Sequence, residues 1–104
     1  LRVVVRKDLH PSYQAVQAAH AGIQFQHDYP EIAKHWHETS NYLVHLSAND
    51  EDHLNRLINR AYLKDIKVSI FREPDIGNQI TAVAFEPSDE SRRLLSNLDL
   101  SLKK

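Results

Sequence analysis

Three consecutive β-branched residues, Val3-Val4-Val5, constrain this chain more than any other stretch. A run without polar alternation predicts a strand, Arg2–Lys7, covered on both faces, and therefore a sheet with helices on either side. The next residues meet that demand. The turn Asp8-Leu9-His10-Pro11-Ser12 leads into a helix from Tyr13 to about His27, with Pro11 suited to a first turn and Ser12 or Asp8 as candidate caps. Ala15, Ala18, Ala19, Ala21 and Gly22 keep this helix thin enough to lie close on a sheet, beside the bulkier Val16, Ile23 and Phe25. Along one flank Gln17, His20 and Gln24 stand three and four apart and share a face, which Tyr13 and His27 extend by a turn at each end. Core packing alone does not ask for a polar row on an otherwise apolar helix, so the row is the first candidate site.

The remaining elements come in order. After Tyr29-Pro30, Glu31–Glu38 reads as a shorter helix with Ile32, Ala33 and Trp36 facing inward. Tyr42–Leu46 is a second strand. Ser47–Asp52 carries a helix-start signal, a polar cap with acids in the first turn. The helix beyond it places Leu54, Leu57, Ile58 and Ala61 on one face and Arg56, Arg60 and Lys64 on the other. Ile66, Val68 and Ile70 alternate with Lys67 and Ser69 in a third strand. Arg72–Asn78 is a loop, Gln79–Phe85 a fourth strand, and Asp89 to about Asn97 a last helix capped by Ser88, whereas Leu98–Lys104 is weakly determined. Helical crossovers make the first three strands parallel, and the short loop before the fourth makes it antiparallel. The expectation is an α/β protein, a three-layer α/β/α sandwich with a small mixed four-stranded sheet whose last strand is antiparallel. The Asp8–Ser12 turn, the Arg72–Asn78 loop and the start of the polar row all fall at the carboxyl ends of the parallel strands, where such sheets collect ligands.

A chain of 104 residues suits one domain with one core, here residues 1–104. It has no cysteine, which excludes disulfides and thiolate zinc sites and agrees with a reducing, cytoplasmic setting. No apolar run is long enough to span a bilayer, so no membrane partner is expected. With a formal net charge of −1, affinity for nucleic acid cannot come from overall charge and needs a local basic patch.

Among chemistry-bearing residues, His20 is either an ordinary structural histidine or a proton-transfer group near neutral pH, its ring held by the amides of Gln17 and Gln24. Asp75 and Asp8 are each a turn-stabilising acid or a carboxylate that orients a water or a ribose hydroxyl. Thr81 matters if its hydroxyl faces the polar row. His35 and His37 point to different sides of their helix, and the scattered histidines lack acidic partners at ligand spacing, so no metal is expected. Arg56, Arg60 and Lys64 form a solvated face or, with Arg6, Lys7 and Arg72, a phosphate track.

Val4-Val5-Arg6-Lys7-Asp8-Leu9 followed by Gln17-Ala18-Ala19-His20-Ala21 resembles the type II peptidyl-tRNA hydrolase family. That family has a strand ending Arg-x-Asp-Leu and a helix carrying Ala-Gln-x-Ala-His-Ala. The likeness continues through Trp36, the Asn41–Ser47 and Ile66–Arg72 strands and Thr81-Ala82-Val83-Ala84-Phe85-Glu86-Pro87, in the family's order and over nearly the whole chain. It implies a cofactor-free esterase that cleaves the bond between a peptide and the terminal ribose of tRNA, on a mixed four-stranded α/β/α fold. Position by position, Gln17 and His20 match the helix motif and Thr81 the strand threonine. Asp75 matches the loop aspartate, with Glu73 competing because the loop is shorter here. The implied partner is peptidyl-tRNA, and a homodimer is left open. Tyr13 stands where the family usually has a lysine, which weakens the implied hydrolysis and motivates an alternative, a non-catalytic tRNA- or protein-binding relative of the same fold.

Overall fold

The structure, a computed structural model, describes residues 1–102. Its elements run β1 (Arg2–Arg6), α1 (Pro11–Asp28), α2 (Pro30–Thr39), β2 (Val44–Ala48), α3 (Glu51–Leu63), β3 (Val68–Glu73), a 3-10 turn (Pro74–Ile76), β4 (Gln79–Phe85), α4 (Asp89–Leu94) and β5 (Asp99–Leu100). The sheet order is β3-β4-β1-β2-β5. β1 and β2 pair in parallel, β4 runs antiparallel to both β1 and β3, and β5 runs antiparallel to β2. The first three strands are therefore parallel to one another, as the crossovers require.

The class is α/β with helices on both faces, and the strand count needs correction. The sheet has five strands rather than four, because Asp99–Leu100 adds a short antiparallel strand beyond β2. Its signal is two residues long and polar at one of them, too little to register as periodicity. Residues 103–104 of the tail lie outside the described residues. The second strand also begins two residues later than Tyr42–Leu46 suggests: pairing of Arg2 with Val44 sets the start, and Tyr42 and Leu43 stay exposed despite their apolar side chains. Ser47 and Ala48 thus belong to the strand, and Asp50 caps α3 by accepting the His53 N–H at 2.9 Å.

β1 lies at the centre and serves two cores, which accounts for its unbroken apolar run. Val4 joins Leu46, Val83, Phe85 and the inner faces of α3 and α4 through Leu54, Leu57, Ile58, Ala61 and Leu95. Val3 and Val5 join Ala82, Ala84, Ala21 and Phe25 beneath α1, with Ala33 of α2. The alanines on this second face let α1 sit low over β1, β4 and β3.

β4 contains the one break in strand alternation. Phe71 of β3 pairs with Ala82 while the next residue, Arg72, pairs with Ile80, so β4 carries one more residue than its partner, and Thr81 is the extra one. A bulge of this kind re-aims side chains. Ile80 packs with the α3 core, whereas both Thr81 and Ala82 turn toward α1.

Because Phe25 is fully buried, Phe25→Ala should lower unfolding free energy by ~3–5 kcal/mol in denaturant melts. Leu63, 88% exposed, should tolerate alanine within about 0.5 kcal/mol.

Candidate active site

The carboxyl ends of β1, β2 and β3 share one rim, where α1 and α3 begin and β4 starts. There the polar row of α1 meets the one strand with a polar face on that side. Ser69, Phe71 and Glu73 alternate toward α1, and each finds a partner on the helix. Gln17 Nε2 donates to Glu73 Oε1 at 2.9 Å. His20 stacks on Phe71 with ring centroids 4.4 Å apart and planes within 3° of parallel. Ser69 Oγ donates to Asp28 Oδ2 at 2.8 Å, and Gln24 Nε2 steadies the other carboxylate oxygen, also at 2.8 Å. Both features that looked odd in the sequence, a polar stripe on an apolar helix and a polar face on a packed strand, are halves of one seam.

The chemical centre of the seam is Glu73. Gln17 is fully buried, and its amide has one orientation that satisfies both sides: Oε1 accepts from the buried Thr81 hydroxyl at 2.6 Å while Nε2 reaches Glu73. Tyr13, one turn earlier on α1, presents its hydroxyl to the same carboxylate, and the Asp75 backbone N–H approaches Glu73 Oε2 at 3.5 Å. The Gln17 hydrogen bond, helped by Asp75 N–H, Tyr13 and the nearby His20, holds Glu73 below the usual carboxylate range against the opposing pull of burial. Partial burial and the Glu73 acceptor push the Tyr13 phenol up.

Gln17, His20 and Thr81 are thus brought together with Glu73. Asp75 is exposed on the 3-10 turn and contributes its backbone. Gln17 and Thr81 are sealed from solvent, and Gln17 links the Thr81 hydroxyl to the carboxylate. His20 is exposed and meets its neighbour through the ring face. Among the described residues no group of three or more His, Cys, Asp or Glu side chains is placed to hold a metal ion, and no helix is long and apolar enough to cross a membrane.

The cations separate into three places. Arg6 is 8% exposed and all three of its guanidinium nitrogens donate hydrogen bonds. Nε and Nη2 clamp Asp8 at 3.0 and 2.8 Å, and Nη1 reaches Gln79 Oε1 at 2.8 Å and the Ile80 carbonyl at 3.3 Å. This fork holds Asp8 below the usual carboxylate range and ties the end of β1 to the start of β4. It turns Arg6 inward, away from the phosphate contact the sequence suggests, whereas Asp8 stays exposed and pairs with Arg6 instead of capping α1. The cap on α1 is His10 instead, whose Nδ1 accepts the Ser12 N–H at 3.2 Å. Lys7, Arg56 and Arg60 gather around His53 and, after burial, are what push its pKa down. Lys64 lies at the far end of α3, and Arg72 is exposed on β3, where Nη1 donates to the Asn78 carbonyl at 3.3 Å.

Replacing Gln17 tests the linkage between core and rim. Gln17→Leu strands the buried Thr81 hydroxyl and should cost ~1–3 kcal/mol at neutral pH. A carboxylate held low stabilises the fold above its ordinary pKa and loses that contribution as pH falls through the lowered value. Denaturant midpoints of the wild type should therefore fall more steeply on acidification than those of Gln17→Leu, which lacks the main cause of the shift.

A search of curated proteins finds no match to this chain. The family model for peptidyl-tRNA hydrolase PTH2 matches residues 1–100. The match takes in β1, the α1 row, the β3 acid and the β4 threonine in one span, and by it the chain belongs to the peptidyl-tRNA hydrolase PTH2 family.

Proposed function

We propose that the protein hydrolyses the ester between a peptide and the terminal ribose of tRNA, with Glu73 as the group that handles the attacking water. The observation that carries this reading is the buried Thr81–Gln17 relay, which ends on a half-exposed, ionised carboxylate at the sheet rim. Three donors crowd that carboxylate: an amide, a phenol and a backbone N–H. Such a carboxylate is an acceptor throughout the physiological range. It aligns a water and takes its proton as the water oxygen bonds to the ester carbonyl carbon. The tetrahedral intermediate then collapses, the ribose oxygen leaves and recovers that proton, and a free peptide and an intact tRNA 3′ end result. Tyr13, beside the same carboxylate, supplies a neutral hydroxyl where the resemblance leads one to expect a lysine, and its single O–H proton is directed at Glu73.

Phosphates of the tRNA acceptor end are met by Lys7, Arg56 and Arg60, the cluster around His53. Lys7 comes directly after β1, and β1 is two strands from β3 in the sheet, which sets Lys7 ~10 Å across the rim from Glu73, with Arg56 and Arg60 behind it on α3. The absence of a lysine at position 13 favours a second reading, a relative that binds tRNA and leaves the ester intact.

Release of peptide from a peptidyl-tRNA separates the two. Under the hydrolytic reading the wild type turns over, Glu73→Gln lowers kcat by ~10²–10⁴, and Asp75→Asn has a far smaller effect. Wild-type rates equal to buffer, with tRNA still bound, establish the binding relative instead. Removing Arg56 or Arg60 should weaken tRNA binding and reduce the slope of log K against log salt by about 1 for each phosphate no longer neutralised.

A further inference from the structure

We propose that the outer face of the His20 ring is a stacking platform for the terminal adenine of tRNA, and that His20 binds the nucleobase rather than transferring a proton. This rests on the esterase reading above and adds to it the place of the terminal nucleotide.

The geometry is that of an unfinished aromatic stack. Phe71 lies half-buried against the core beneath α1, and His20 covers it in a near-parallel arrangement at 4.4 Å, leaving the imidazole exposed as the upper layer. The lower ring is fixed by packing and the upper ring by the lower, so a flat surface is presented without further ordering. Proton transfer demands something different. A catalytic imidazole has one nitrogen held by an orienting acceptor so that the other is aimed. His20 acts on the Glu73 carboxylate through space, and that group already receives Gln17, Tyr13 and the Asp75 N–H. Among the described residues none hydrogen-bonds a nitrogen of the His20 ring, which meets Phe71 through its face.

The surroundings favour a nucleoside over a peptide side chain. Glu73, on the same face of β3 two residues along, marks where the ester carried by that nucleoside has to lie. Gln24, half-buried one turn further down α1, offers an amide to the edge of a base. A base resting on His20 would set its own ribose, and the ester on it, over Glu73.

The test uses the trinucleotide CCA with 2-aminopurine in place of the terminal adenine, whose fluorescence is quenched by stacking. Wild-type protein should quench it, His20→Ala should weaken the affinity by ~10–100-fold, and His20→Phe should recover it to within about threefold. In peptidyl-tRNA hydrolysis the same loss should fall on KM for His20→Ala while kcat changes by less than about threefold, and His20→Phe should rescue KM. Thermal melts of both variants separate this from loss of folding, since His20→Phe keeps a ring on Phe71. The proposal is overturned if His20→Phe loses kcat by ~10² or more while quenching persists, because the imidazole nitrogens are then needed for chemistry. It is equally overturned if wild-type protein hydrolyses its substrate and neither quenching nor KM responds to His20→Ala. Failure of the esterase reading looks different: quenching that depends on a ring at position 20, from a protein that releases no peptide.

Discussion

One seam governs the rest of this structure, the line along which α1 is fastened to the edge strand β3. Two elements of different period can be joined side by side only where their repeats nearly coincide. A helix brings a residue back to the same face every ~5.4 Å, and a strand does so every ~6.6 Å. Over a few residues the mismatch is small enough for long side chains to absorb. Gln17 reaches Glu73, His20 covers Phe71, and Asp28 takes the Ser69 hydroxyl. The seam puts polar groups in the interior without stranding them, and it decides which residues of α1 stand at the rim.

The frame that sets this seam is apolar on one side and ionic on the other. Below α1, alanines from helix and sheet let the helix sit low, with Phe25 filling the space they leave. At the rim the Arg6 fork joins Asp8, Gln79 and the Ile80 carbonyl, and so fixes the turn into α1 relative to the turn into β4. A buried arginine with one paired carboxylate and two further acceptors is a joint whose value lies in geometry. Glu73 is positioned between these two constraints. It is held low first of all by the hydrogen bond from the buried Gln17 amide.

Much of this was legible in the chain. The Val3-Val4-Val5 run announces a central strand, the helix spacing of Leu54, Leu57, Ile58 and Ala61 announces the face of α3, and the row Gln17–His20–Gln24 marks the seam. Other parts were not legible, for identifiable reasons. Tyr42 and Leu43 read as strand because they are bulky and apolar, yet pairing of β1 with β2 begins at Val44. β5 exists because β2 offers a free edge, a property of the sheet and not of Asp99–Leu100. Arg6 looks like a surface cation until the fold supplies it with acceptors. Between Glu73 and Asp75, spacing alone cannot choose. Strand alternation places Glu73 on the face of Ser69 and Phe71, and the 3-10 turn carries Asp75 away from it.

The extra residue in β4 has a consequence for how this fold varies. A β-strand is read in two frames, odd residues up and even residues down, and one insertion exchanges them for everything on one side of it. Here the exchange occurs at Thr81: Val83 and Phe85 keep the frame of the α3 core, while the hydroxyl changes frame and finds Gln17. Loss of Thr81 would therefore restore plain alternation, leave Ile80 and Val83 on the face of the α3 core, and remove the hydroxyl that holds the Gln17 amide toward Glu73. In a lineage of such proteins the length of this strand, as much as the identity of its threonine, is what heredity has to preserve.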